Sequence, residues 1–182
     1  MKLYLVRHAI AEERASEQPN AGRTSAAKGK SKASAANSDA ERALTVQGKA
    51  KMARAAQGLR KIKPRLDLIL TSPLRRARET AEIMAAELGG TKIEALDGLA
   101  PGAEPAAIVA ALRRYHSLKA IALVGHQPDL GYLASFLLAG SPNACNLNFK
   151  KGSVACVEGD LAADASSCSL LWLMPPKLLR SL

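Results

Sequence analysis

Aromatic residues are scarce in this chain, at 3% of the sequence. Any core must therefore be aliphatic, and a nucleic-acid-binding strand with interleaved aromatics finds no support. Cysteine is equally sparse: Cys145, Cys156 and Cys168 are odd in number, widely spaced and form no CxxC pair. That argues against a disulfide framework or a zinc site and makes a reducing, cytoplasmic setting the default expectation. No apolar run reaches the roughly 18 residues of a membrane span, and the apolar part of MKLYLVRHA is too short for a signal peptide. There are only three histidines, and no acidic cluster accompanies two of them, so no metal and no cofactor is expected.

Positive charge is in excess, at a formal net +10. The surplus is local: residues 44–88 hold ten Lys or Arg against four Asp or Glu. A solvated helix face and an anion-attracting surface both account for it. Nucleic acid is not expected as a partner, because no recognition module accompanies the charge, and neither is a membrane.

A chain of 182 residues favours one domain, here 1–182, with room for a sizeable core. Short apolar runs at 2–6, 66–72, 91–96, 118–125, 153–159 and 169–174 predict strands, the last two as a hairpin turning at Gly159–Ala165. Helices are expected from Thr45, as N-cap, to about Lys61, from Pro73 to about Leu88, over 104–115 and over 128–139. Residues 14–43 carry Ala, Ser, Lys and Gly without apolar periodicity and read as a mobile loop, with 15–38 as an insertion. That insertion is open to three readings: a passive insertion, a flap over a protein substrate, or a binding tail.

Strands alternating with helices predict a three-layer α/β/α fold with a mainly parallel central sheet. Ligands of such sheets bind outside the carboxyl ends of the strands. Arg7-His8 ends the first strand, Ser72 and the arginines after it end the second, and Gly125-His126 ends the fourth. The fold thus delivers Arg, His, Arg and His to one edge, where a phosphoryl group would neutralise them. Arg matches phosphate oxygens in a bidentate fork. A histidine beside arginines should stay neutral, and neutral imidazole is a nucleophile. Phosphoryl transfer to histidine without metal follows as the expected chemistry.

LVRHA, ALTVQG, TSPLRRARET and LVGHQPDLGYL, in that order, resemble the histidine phosphatase superfamily of phosphoglycerate mutase-like proteins. The short chain and the D-x-E-R-x-L-T-x-x-G pattern at Asp39–Gly48 look like its small branch, the SixA-type phosphohistidine phosphatases. The resemblance covers nearly the whole chain outside about 15–38. It implies that His8 is the phosphorylated nucleophile, that Arg7 and Arg76 (not Arg75) bind phosphate, and that His126 is the second pocket histidine. Arg42 matches a basic position that reaches the pocket or stays at the surface. Ser72, Thr80 and Thr45 match positions that are more structural than catalytic. The implied partner is a phosphorylated protein carrying phosphohistidine in signalling, or a small phosphorylated substrate. A phosphomonoesterase or pyrophosphatase, and a phosphohistidine-sensing module with weak turnover, are the alternatives. Nothing in the sequence sets an oligomeric state.

Two departures matter. Ala9 replaces the glycine of the usual R-H-G, which either crowds the phosphate or is harmless. The loop Leu99-Ala100-Pro101-Gly102 lacks the glutamate by which larger members protonate the leaving group; Glu12, Glu13, Glu104 and Asp129 are the carboxylates able to approach. A positioned acid contributes about 10²–10⁴-fold when the leaving group is poor. Imidazole, with a reference pKa of about 6.5, leaves without one. A pocket lacking an acid therefore suits an N–P bond better than a sugar phosphate.

Overall fold

A computed structural model describes residues 1–13, 39–62, 64–160 and 168–182. The expected insertion at 15–38 lies outside these residues, as does most of the expected turn at Gly159–Ala165. The strands are β1 (Lys2–Arg7), β2 (Leu68–Thr71), β3 (Ile93–Ala95), β4 (Ala120–Gly125), β5 (Val154–Glu158) and β6 (Ser169–Met174). They form one sheet in the order β3-β2-β4-β1-β5-β6. β3, β2, β4 and β1 run parallel, whereas β5 and β6 are antiparallel additions at the β1 side. The mainly parallel sheet expected from the alternating pattern is thus present, and β5 and β6 pair as the expected hairpin partners.

Alternation along the strands builds two cores. Leu3 and Leu5 of β1 face one way, toward α3 (Pro105–Leu112) and α4 (Asp129–Ala139), with Ile108, Leu112, Leu133 and Leu137 among the buried residues. Tyr4 and Val6 face the other way, toward α1 (Val46–Lys61), α2 (Arg75–Glu87) and the short α5 (Pro176–Leu179). That second core is rich in alanine, including Ala55, Ala56, Ala77 and Ala81, which lets the helices lie close to the sheet.

Element ends differ from the sequence reading for local reasons. α2 starts at Arg75 rather than Pro73, because the Leu74 N–H turns back onto Ser72 Oγ at 3.3 Å before the helix begins. The helix expected over 104–115 stops at Leu112 and continues as a 3₁₀ turn, Arg113–Tyr115. Thr45 caps α1 as expected, its hydroxyl accepting from Gly48 N at 2.9 Å. The Thr45 N–H also donates to the Ile10 carbonyl at 3.0 Å, so the cap ties α1 to the chain leaving β1. Gly48 is required there, since a Cβ would stand 2.1 Å from that same carbonyl oxygen.

Candidate active site

Register brings the expected residues together. Arg7 on β1 pairs with Gly125 on β4, and Thr71 on β2 pairs with Val124. The His8 N–H donates to the Gly125 carbonyl at 3.0 Å, and the Ser72 N–H to the Val124 carbonyl at 2.9 Å. His8, His126 and Ser72 therefore leave three adjacent strands side by side, and α2 starts directly behind Ser72. Arg76 falls in its first turn and is buried, while Arg75 is exposed and pairs with Glu79 at 3.2 Å.

His8 has a defined tautomer. Its Nδ1 lies 2.7 Å from the Ala9 carbonyl oxygen, which can only accept, so Nδ1 carries the proton and Nε2 presents a lone pair. The His126 ring sits 5.1 Å away, centroid to centroid, at 55°. His126 Nε2 is 2.8 Å from Ser72 Oγ, and its buried Nδ1 has no partner among the described residues. Arg7 donates through Nη1 to the Phe149 carbonyl, and its buried Nε likewise has no partner among the described residues.

Arg76 forks onto Asp39, with Nη1 2.7 Å from the carbonyl oxygen and Nη2 3.2 Å from Oδ2. Asp39 Oδ1 lies 2.9 Å from Arg42 Nε, and Arg42 Nη1 donates to the Glu12 carbonyl at 2.8 Å. Arg42 thus reaches Arg76 through a shared carboxylate. Thr80 clamps α2 to the His8 loop: its hydroxyl accepts from Ala9 N at 3.1 Å and donates to the Arg76 carbonyl at 2.6 Å. Ala9 itself belongs to the buried aliphatic core, so its methyl group is packed there.

Both imidazoles are held neutral. Burial pushes His8 down to about 4, with Arg76, Arg7 and Lys151 adding repulsion against a hydrogen bond to Ala9 that acts the other way. Burial pushes His126 down to about 3, helped by His8 and Arg76 and opposed by Asp39. The sequence attributes this neutrality to the arginines; in the structure desolvation is the larger cause, because both rings are enclosed at the strand ends.

Some of the site was not foreseen. Asp39 opens the D-x-E-R pattern, in which the sequence singles out only Arg42 as a pocket candidate. The Gly152 N–H donates to the Arg7 and His8 carbonyls at 3.1 and 3.2 Å, holding the end of β1. Its φ is +82°, a conformation that favours glycine, and the glycine of Lys150-Lys151-Gly152 is the only trace of this in the sequence. Of the carboxylates thought able to approach, Glu12, Glu13 and Glu104 are exposed, and Asp129 accepts from the Gly102 N–H at 3.1 Å. Among the described residues no group of three or more His, Cys, Asp or Glu is placed to hold a metal ion. No helix among them is long and apolar enough to cross a membrane.

This sheet order, with helices on both faces and two histidines at neighbouring strand ends, is the phosphoglycerate mutase-like α/β class. The sequence model of the histidine phosphatase superfamily (branch 1) matches residues 3–101, and the chain belongs to that superfamily. An uncharacterized protein of Picosynechococcus sp. (strain ATCC 27264 / PCC 7002 / PR-6) is 36% identical over 156 residues, covering 85% of this chain and 82% of its own. The protein histidine phosphatase SixA, solved with tungstate, superposes with a TM-score of 0.75 at 23% identity, covering 97% of this chain and 98% of that one. The alpha-ribazole phosphatase of Shigella flexneri gives 0.66 at 16%, covering 97% of each chain. The ecdysone phosphate phosphatase of Bombix mori, also with tungstate, gives 0.64 at 13%, covering 96% and 92%. At these identities the structural likeness is one of fold.

Proposed function

We propose that this chain is a metal-independent protein phosphohistidine phosphatase, a single domain over 1–182, acting on phosphorylated signalling histidines. His8 Nε2 attacks phosphorus in line while the bond from phosphorus to the substrate nitrogen breaks. Arg7, Arg76 and His126 hold the equatorial oxygens, where positioning and charge stabilisation carry most of the catalysis. Water then attacks the phosphorus on His8, releasing phosphate and restoring the imidazole.

The observation that carries the reading is the placement of acids. The carboxylate brought onto Arg76 is Asp39: its Oδ2 accepts from Arg76 Nη2, and its Oδ1 is ion-paired with Arg42 at 2.9 Å. It is an acceptor, not a proton donor. A phosphoimidazole protonated on its other ring nitrogen leaves as neutral imidazole and needs no acid from the enzyme; an alkoxide does. The range of substrates named for the structural neighbours, from protein phosphohistidine to ecdysone phosphate, favours as second reading a small-molecule phosphatase of the same superfamily.

Rapid alkaline quenching with a phosphohistidine peptide tests the first reading. Acid-labile phosphate is expected on the peptide containing His8, absent in His8→Ala, with turnover unaffected by excess EDTA. Faster hydrolysis of an alkyl phosphate panel than of the phosphohistidine peptide would establish the second reading instead. Binding without a turnover burst would reduce the protein to a sensing module.

A further inference from the structure

The amino ends of the parallel strands, remote from His8, carry a second pocket of about 430 Å³. Its volume is within the range of small-ligand sites, about 300–1,000 Å³. Strand register makes its floor. Tyr4 on β1 pairs with Cys156 on β5, and Cys156 pairs with Trp172 on β6, so the three stand in a row on one sheet face. Lys2, one step toward the strand start, pairs with Ala120 on one side and Glu158 on the other. The small side chains of Ala120 and Cys156 leave the space that Tyr4 and Trp172 border. The two rings meet at 5.9 Å and 58°, a tilted pair that fixes the indole against a rigid neighbour. Ile62, Pro64 and Arg65, between α1 and β2, form the wall.

Charge gives this pocket a sign. Lys2, Arg65 and Lys119 line it against one acid, Glu158. None of the three cations is in an ion pair among the described residues. Lys2 lies six residues before His8, roughly 20 Å along an extended strand, so this charge serves no group in the phosphatase site. Aromatic surface, a cationic rim and one acceptor make distinct demands on a ligand. A flat ring satisfies the indole, an anion satisfies the cations, and a ring amine or sugar hydroxyl satisfies Glu158.

We infer that this pocket, framed by Tyr4, Trp172, Arg65, Lys119 and Glu158, binds a nucleotide-class ligand at the end of the sheet opposite His8. The ring lies against Trp172, the phosphate reaches Arg65 and Lys119, and Glu158 accepts from the base or sugar. A bare anion would leave the aromatic surface and Glu158 unused, and a nucleoside would leave the cations unpaired.

Trp172 is the single tryptophan of the chain, so its fluorescence reports this pocket directly. Full-length protein is titrated with AMP, adenosine and inorganic phosphate, with excitation at the red edge of the indole band. AMP is expected to give a saturable change at concentrations at least about tenfold below either fragment. Arg65→Ala with Lys119→Ala should weaken AMP by about tenfold or more, the scale of two lost charge-assisted bonds. Both side chains are exposed, and unchanged turnover of a small phosphoramidate checks that the variant is folded. Three results overturn the inference: no saturable AMP signal, equal response to adenosine or to phosphate, or an AMP signal that survives Arg65→Ala/Lys119→Ala but is lost in Arg76→Ala. The last would place AMP at the His8 pocket.

Discussion

The hydroxyl of Ser72 lies 2.8 Å from Nε2 of His126 and also accepts the Leu74 N–H at 3.3 Å. A hydroxyl that accepts from a backbone N–H has its one proton free for the imidazole. With Ser72 donating to Nε2, the proton of His126 sits on the buried Nδ1, the atom without a partner among the described residues. A buried donor without an acceptor costs about 1–3 kcal/mol, and a phosphoryl oxygen would satisfy it. Ser72→Ala should free the tautomer and the ring. The expected result is a fall in kcat/KM of about tenfold, with Ser72→Thr restoring much of it and the fold intact by circular dichroism. Full activity in Ser72→Ala would show that His126 orients itself.

Adjacent arginines separate position from charge. Arg76 exposes 4% of its side chain, forked onto Asp39, and Arg75 exposes 45%, paired along the helix surface with Glu79. Successive helical residues turn by about 100°, so one neighbour faces the pocket and the other faces solvent. Arg76→Ala should cost kcat/KM on the order of 10²-fold or more, and Arg75→Ala less than about twofold, as for an exposed ion pair. Similar losses in the two variants would reject the assignment of Arg76 to phosphate.

The sequence reveals the strand-end histidines and arginines because β-strand runs are short and end where the charge begins. Arg7-His8, Ser72 and Gly125-His126 each stand at such a boundary, and parallel pairing then aligns the boundaries. Asp39 is not legible in the same way. It lies far along the chain from Arg76 and its contact is set by packing, which no local periodicity encodes. The order of causes behind the histidine pKa values is hidden too: adjacent charge can be read from the residue string, but enclosure cannot. The pocket at the other end of the sheet escapes for a third reason. It depends on cross-strand register between Tyr4, Cys156 and Trp172, and those residues are remote in sequence.

Two helical glycines test close approach against propensity. A Cβ on Gly48 would stand 2.1 Å from the Ile10 carbonyl oxygen, and one on Gly58 would stand 1.7 Å from that of Leu179. Alanine gains about 1 kcal/mol in helix propensity, but displacing packed backbone costs about 1–3 kcal/mol or more. Both Gly48→Ala and Gly58→Ala should lower the urea midpoint. Gly48→Ala alone should also lower kcat, since Ile10 follows the His8 loop. A stabilised Gly58→Ala would mean that α5 yields easily.

Acid should destabilise the protein at a pH well above the carboxylate range, and the histidines are the cause. His8 is pushed by burial from 6.5 down to about 4, and His126 to about 3. The unfolded chain takes up protons near pH 6.5 that the native rings refuse. Below that pH the unfolded state binds more protons, so stability falls as pH falls. The contribution is whole above pH 6.5, erodes through the interval below it, and is gone once pH passes the folded values. Each ring costs up to about 1.4 kcal/mol per pH unit in that interval. Glu79 acts in the same direction at lower pH: burial raises its pKa, but hydrogen bonds from Leu44, Lys49 and Arg75 outweigh that and hold it below 4.5. Comparing pH 7 with pH 5 therefore isolates the histidines. Urea unfolding of the wild type should lose stability over this step. The His8→Ala/His126→Ala double variant should lose much less, whatever its starting stability, because it has no buried imidazoles to protonate. An equal loss in both proteins would show that the two rings accept protons in the folded state, and the neutral imidazole that the proposed mechanism needs at His8 would then be lost at pH 5 as well.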